Sequence, residues 1–237
     1  MRFNNPKIIR IYEMLEAHFG FLDWWPGESK LEIIAGAILT QQTSWKNVEK
    51  AIKNMKARNM MSFGLLLNAD IKDIEDAVKP SGFYRQKAKR LRDFLAYIRE
   101  NHSTIKNFLS KDAMELRKEL LSINGIGKET ADSIVLYAAE KPIFVIDAYT
   151  KRAIKRIYGM ENEMEYDELQ DCIMKKIPKN LELYKDFHAQ FVELCKNYCK
   201  KSNPLCTECP LRKVCNYCDI LSQLKVGSFQ GGYDWSS

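Results

Sequence analysis

Four cysteines near the C-terminal end, Cys199, Cys206, Cys209 and Cys215, follow the spacing C-x6-C-x2-C-x5-C, and they restrict what this chain can fold into more than any other feature. Thiolates are soft ligands for an iron–sulfur cluster or for zinc, and four on one short segment can enclose either without help from elsewhere. Zinc ribbons present two close C-x2-C pairs, whereas among these four only Cys206 and Cys209 are so close, so the spacing leans modestly toward a cluster. Buried thiols or disulfides are the ordinary alternative. All seven cysteines lie at position 172 or beyond, which suits one local cofactor better than a disulfide framework and points to a reducing compartment.

With 237 residues, 46% of them hydrophobic, the chain can bury a substantial core as one domain or as two lobes. The opening residues, MRFNNPKIIRIYEML, lack the apolar stretch of a signal peptide, and the longest apolar runs, such as 33–40, are far too short to span a bilayer. A soluble cytoplasmic protein without a membrane partner is expected, nuclear if the source is eukaryotic. A formal net charge of +6 is a mild bias toward polyanions. Clustering says more. Residues 79–92, KPSGFYRQKAKRLR, hold six basic side chains and no acid, enough to neutralise several phosphates, although a solvated helix face has the same pattern.

Short amphipathic stretches punctuated by Gly, Pro, Ser, Asn and Asp, with no convincing alternating strand, predict an all-α fold. Ser29-Lys30-Leu31-Glu32 has the form of a capping box before an apolar helix through Leu39, and Ser44 is placed to cap the next helix, whose Val48, Ile52 and Met55 share a face. Pro80-Ser81-Gly82 predicts a turn. Beyond it Ala88, Leu91, Leu95 and Ile98 recur at helical spacing, which directs the basic residues of that segment to the other faces. The Gly/Ser/aromatic residues 226–237 read as a poorly ordered tail.

Gly125-Ile126-Gly127 stands between an apolar segment ending at Ile123 and a helix carrying Ala131, Ile134, Val135 and Ala138. This is a helix, a hairpin and a helix. Glycines permit the tight turn and bare the first amides of the second helix, where unpaired N–H groups favour an anion such as phosphate, with Lys128 adding charge at the exit. An ordinary interhelical turn is the plainer account. Downstream, the apolar run 142–146 ends at Asp147, immediately before Ala-Tyr-Thr-Lys-Arg. A helix N-cap worth about 1 kcal/mol explains most aspartates so placed, but a carboxylate at the end of an apolar run can also activate water or stabilise a developing cation.

With Leu39-Thr40-Gln41-Gln42-Thr43, the hairpin 124–128, Asp147 and the four cysteines on one chain, the sequence resembles the helix-hairpin-helix DNA glycosylase superfamily over residues 31–215, in particular enzymes similar to endonuclease III. The resemblance implies two helical lobes, 28–137 with the hairpin and 1–27 plus 138–225 with the cysteines, and an active site in the groove between them. It implies a [4Fe-4S] cluster on Cys199, Cys206, Cys209 and Cys215, a catalytic carboxylate at Asp147, and Gln41 entering the gap left by a flipped nucleotide. Gly125, Gly127 and Lys128 would contact DNA, the partner would be double-stranded DNA with a damaged base, and a monomer is expected. Cys172, Cys195 and Cys218 fall outside the implied ligand set.

Bifunctional members place a lysine nucleophile two residues after the second hairpin glycine, but here Gly127 is followed by Lys128 and then Glu129, which cannot form a Schiff base. Lys128 is one residue early, a displacement of about 100° around a helix. A monofunctional enzyme is therefore favoured. Trp24-Trp25-Pro26, the segment 80–90, residues 125–132 and Phe187-His188 look like the 3-methyladenine DNA glycosylase branch. Carried over by position, Trp25, Pro26 and Trp45 would wall the base pocket with Trp24 behind them, a box suited to a cationic alkylated purine. Covering a core edge is the plainer account of these tryptophans. A lyase-competent enzyme acting on oxidised pyrimidines, a mismatch glycosylase and a non-catalytic DNA-binding protein are the alternatives.

Overall fold

The computed structural model describes residues 6–219, and among them there are helices and turns but no strand, as the lack of alternating patterns predicts. The tail at 226–237 and residues 1–5 and 220–225 of the expected cysteine-bearing lobe lie outside the described residues. In chain order the helices are α1 (Ile8–Phe19), α2 (Lys30–Leu39), α3 (Trp45–Ala57), α4 (Phe63–Asn68), α5 (Ile71–Val78), α6 (Tyr84–His102), α7 (Ile105–Leu109), α8 (Ala113–Ser122), α9 (Lys128–Ser133), α10 (Ala148–Tyr158), α11 (Tyr166–Met174) and α12 (Leu181–Asn197). A 3-10 turn, Lys79–Ser81, precedes α6, and a π-helical turn, Ile134–Ala138, continues α9. Two compact units result, one of residues 6–22, 146–179 and 186–219, the other of Asp23–Val145 and Asn180–Lys185.

In the second unit α2 is buried on all sides from Leu31 to Leu39, which is why its sequence is apolar without a polar face. Ser29 caps it as expected, its hydroxyl accepting the Glu32 amide at 3.1 Å. The other half of the capping box goes elsewhere: the Glu32 carboxylate accepts the Glu28 amide at 3.2 Å and pairs with Lys56 at 3.0 Å. Ser44 occupies the N-cap position of α3 without a side-chain capping bond. The faces predicted for α3 and α6 are buried, with Val48, Ile52 and Met55 on the first and Ala88, Leu91, Leu95 and Ile98 on the second.

One basic residue of α6 departs from the expected outward pattern. Lys87 is 1% exposed, and its Nζ donates to the carbonyls of Leu39 at 2.9 Å and Ser81 at 2.7 Å. The first is an orphan acceptor at the end of α2 and the second lies in the 3-10 turn, so the ammonium supplies donors where helical hydrogen bonding runs out. A second buried charge fixes the helix-hairpin-helix: Asp132 on α9, fully buried, accepts from Arg117 Nε on α8 at 2.6 Å. The helices flanking the hairpin are thereby bound to each other. Each buried charge keeps a partner because an isolated one would cost roughly several kcal/mol even after the surroundings relax.

The first unit packs α1 against the later part of α12. Phe187 and Phe191 stack with centroids 4.6 Å apart, and Tyr12 meets Phe187 edge-on at 5.3 Å. Polar bonds then fix the segment leading to the tryptophans: the Leu22 amide donates to the buried Asp186 at 2.7 Å, and Gln190 Nε2 donates to the Gly20 carbonyl at 2.7 Å.

Burial, reinforced by the charge of Arg90, lowers the Lys87 pKa from the ordinary lysine range to about 8. The unfolded chain, titrating near 10.4, therefore binds more protons than the native one between about pH 8 and 10, so this residue's contribution to stability rises with pH across that window and is lost as pH falls through 8. Measured by urea unfolding, the stability advantage of wild type over Lys87→Met is expected to widen from about pH 7.5 to about pH 9.5. A constant difference would show that the buried ammonium is not perturbed.

Candidate active site

At the hairpin Gly125 adopts φ +84, a conformation that favours glycine, and a Cβ there would lie 2.7 Å from Arg90 Nε and 2.9 Å from its Cδ. Gly127 is different. It has φ −89 as the N-cap of α9 and nothing within 4 Å of where a Cβ would stand. Glycine's freedom is therefore required at Gly125 alone, while Gly127 leaves the space before the first amides of α9 open. Lys128 and Glu129, the first residues of α9, are exposed.

Gln41, just beyond α2, is held by its whole amide group. Its Nε2 donates to the Gly125 carbonyl at 3.1 Å and the Thr130 hydroxyl at 3.0 Å, and its Oε1 accepts from the Arg90 guanidinium. The structure thus brings together Gln41 and the hairpin, which the sequence separates by 84 positions. Nearby backbone is strained: Gln42 and Phe83 take φ of 56 and 46, left-handed values that cost non-glycine residues about 1 kcal/mol or more. Phe83 is also 60% exposed. An apolar ring on a strained turn can wedge between bases, and sequence reasoning missed it; its only signal was an aromatic after Pro80-Ser81-Gly82 in a basic stretch.

The tryptophans gather in the same unit. Trp25 meets Trp45 edge-on with centroids 5.0 Å apart, Trp24 lies 6.4 Å from Trp25 and 6.1 Å from Trp45, and all three are half-buried. Gly36 of α2 admits Trp25 and Trp45 to within 3.4 and 3.5 Å of its Cβ position. Pro26 is exposed and lines a groove with Trp45, Glu28, Glu32 and Glu49. Tyr137 is an unforeseen fourth ring, 5.0 Å from Trp25. It comes from the π-helical turn, a widening that an apolar sequence run does not announce and that often marks functional sites.

Asp147 lies in the first unit and caps α10 as its position suggests, one carboxylate oxygen accepting the Thr150 amide at 2.7 Å. The other oxygen stands 3.5 Å from Nε2 of His188, a buried residue of α12. Burial pushes the carboxyl up, but His188 and the Thr150 amide outweigh it and hold the group below the usual carboxylate range. The pair therefore provides an ionised, oriented carboxylate at neutral pH, able to face a developing cation or align a water.

Cys199, Cys206, Cys209 and Cys215 line one small cavity, and Cys218 joins them. Cys195 instead hydrogen-bonds Cys199, and that bond, together with Arg156, pushes the Cys199 thiol below the ordinary thiol range. Arg156 was not singled out by the sequence. Its Nη1 lies 3.3 Å from Cys199 Sγ and donates to the Lys200 carbonyl at 2.7 Å, and its guanidinium sits over the Tyr217 ring at 4.7 Å. Leu194, Leu211, Ile157 and Tyr198 also line the cavity. The four thiols thus share one cavity. Such a donor set, with an arginine beside it, fits a thiolate-ligated polynuclear group.

Residues 35–179 match the family described as the HhH-GPD superfamily base excision DNA repair protein. The chain belongs to this superfamily. It is 46% identical over 210 residues to a Methanocaldococcus jannaschii protein provisionally named a DNA repair glycosylase, covering 88% of this chain and 95% of that one. A crystal structure of the H. pylori 3-methyladenine DNA glycosylase bound to 1,N6-ethenoadenine is 31% identical with a TM-score of 0.69, covering 80% of this chain and 94% of the other. A non-covalent endonuclease III–DNA complex gives a TM-score of 0.78 over 92% of this chain and 99% of the other at 21% identity, a likeness of fold. The hairpin 124–127, between α8 and α9, lies within the matched residues, and the protein is a DNA repair glycosylase of this superfamily.

Proposed function

We propose that this glycosylase hydrolyses the N-glycosidic bond of a flipped alkylated purine, such as 3-methyladenine, in double-stranded DNA and leaves the abasic site uncut. The observation that carries the reading is the group of half-buried rings of Trp24, Trp25 and Trp45, with Tyr137 against Trp25. Ring faces attract a cationic base over a neutral one through stacking and cation–π interaction. A base methylated at N3 already carries positive charge and leaves neutral, so no strong general acid is required. Asp147, kept ionised beside His188, stabilises the cationic sugar and orients water. Glu129 at the lyase position offers no amine for an imine. Gln41, Gly125, Gly127 and Lys128 hold the opened duplex, and the protein acts as a monomer among the chromosomal DNA of the cytoplasm, or of the nucleus if eukaryotic.

A lesion-panel excision assay tests the substrate. Wild type is expected to release 3-methyladenine, Trp45→Leu to lose excision by about 1–3 kcal/mol of stacking, and Asp147→Asn to bind lesion duplex yet slow single-turnover excision by roughly 10²–10³. Borohydride trapping of a covalent adduct, or excision of oxidised pyrimidines without release of methylated purines, would point to a bifunctional enzyme instead.

In the same proposal Cys199, Cys206, Cys209 and Cys215 hold a [4Fe-4S] cluster, a reading supported by their lining one cavity and by the spacing the family resemblance implies. Bound there, the cluster would cross-link a loop whose Lys200, Lys201, Arg212 and Lys213 offer a basic surface to phosphates, a structural contribution rather than a redox one in excision. Anaerobically purified protein should contain iron and labile sulfide each near four per chain. Cys218→Ser should keep them and Cys199→Ser should lose them; stoichiometric zinc without sulfide would overturn the assignment.

A further inference from the structure

Arg90 touches both halves of the apparatus assigned to the opened duplex, though nothing in its sequence position marks it apart from five other cations in the stretch 79–92. Its guanidinium donates to Gln41 Oε1, while its stem lies so close beneath Gly125 that a Cβ there would stand 2.9 Å from Cδ and 3.0 Å from Cγ. The Gln41 amide is then fixed from opposite ends, its oxygen by α6 and its nitrogen by the hairpin carbonyl and Thr130. A free glutamine rotates about three torsions and must order them on entering a base stack. Here that ordering is already done in the unbound protein, at a position set by the hairpin itself.

We infer that Arg90 is a positioning residue that couples the hairpin to Gln41, so that docking the hairpin on the backbone delivers the glutamine side chain to the gap in the duplex. This rests on the proposed entry of Gln41 into that gap, and not on the identity of the excised base. The chemistry requires arginine: its fork reaches Gln41 while its stem packs on Gly125, whereas methionine keeps the stem alone and lysine keeps stem and charge without the planar fork. A phosphate-binding role for Arg90 would differ by showing itself in the salt dependence of binding.

The test uses a duplex with a tetrahydrofuran abasic analogue facing 2-aminopurine, which reports side-chain entry without any excision. Wild type should change the 2-aminopurine fluorescence on binding, and Gln41→Ala should abolish that change; if wild type gives no change, the Gln41 reading fails and this inference falls with it. Arg90→Met should lose most of the change with thermal stability and salt dependence of binding close to wild type, Arg90→Lys should restore part of it, and Gln41→Ala combined with Arg90→Met should be no worse than Gln41→Ala alone. On the substrate that wild type excises, Arg90→Met should slow the single-turnover rate about tenfold to a hundredfold, the usual effect of a misplaced positioning group. Two results would overturn the inference while leaving Gln41 in place: full 2-aminopurine response from Arg90→Met, or a fall of about one in the salt slope with losses additive to Gln41→Ala, which identifies a plain phosphate contact.

Discussion

The ammonium of Lys87 is the interaction on which the Gln41 loop and the turn before α6 depend. Two carbonyls, of Leu39 at the end of α2 and of Ser81 in the turn before α6, point into a space closed to water, and the lysine answers both. The Gln41 loop follows the first of these and the strained Phe83 turn the second. Because unsatisfied buried carbonyls and an unpaired buried charge are each costly, the three groups stabilise one another only when all are in place. One turn along α6, Arg90 extends the same support to Gln41 and the hairpin. A single helix face thus organises two loops and a hairpin that are distant in sequence.

The residues assigned roles in the proposal are divided between the two units. Aromatic rings, Gln41 and the hairpin belong to one, where α2 provides a wholly apolar centre and Gly36 admits the tryptophans to its backbone. Asp147, His188 and the cysteines belong to the other. There α10 serves two ends at once. Its first residue position is capped by Asp147, and its last turn carries Arg156, whose guanidinium reaches the Cys199 thiol. Capping and catalysis make the same demand on the aspartate, an ionised carboxylate with fixed orientation, so the capping role detected in the sequence and the proposed chemical role do not compete.

Much of the fold was legible because helical periodicity reports burial directly. The faces of α3 and α6, the end of α2 and the hairpin after Ile123 lie where the apolar spacing places them. Failures have physical causes as well. Lys87 looked like a surface cation because a pattern assigns charge to solvent, and only the tertiary fold supplies two carbonyls able to receive it. Gly127 looked like half of an obligatory glycine turn, yet its backbone is one any residue adopts, and the strained angle belongs to Gly125. Ser44 has the right residue type for a cap but forms no capping bond.

By itself the sequence determined the residue chemistry and the local frame: four thiols at fixed spacing, a carboxylate at a helix start, a glutamic acid two residues after the second hairpin glycine, and helices whose apolar faces had to be covered. These are properties of composition and near-neighbour spacing, which short-range sterics and burial translate without further information. Only the tertiary structure decided which distant groups meet, namely His188 beside Asp147, Arg156 beside Cys199, Tyr137 against Trp25, and Arg90 between Gln41 and Gly125. Each pairing joins residues tens of positions apart, and no local preference specifies it, because the energy that selects such a pairing comes from excluding water around both partners once the helices have packed.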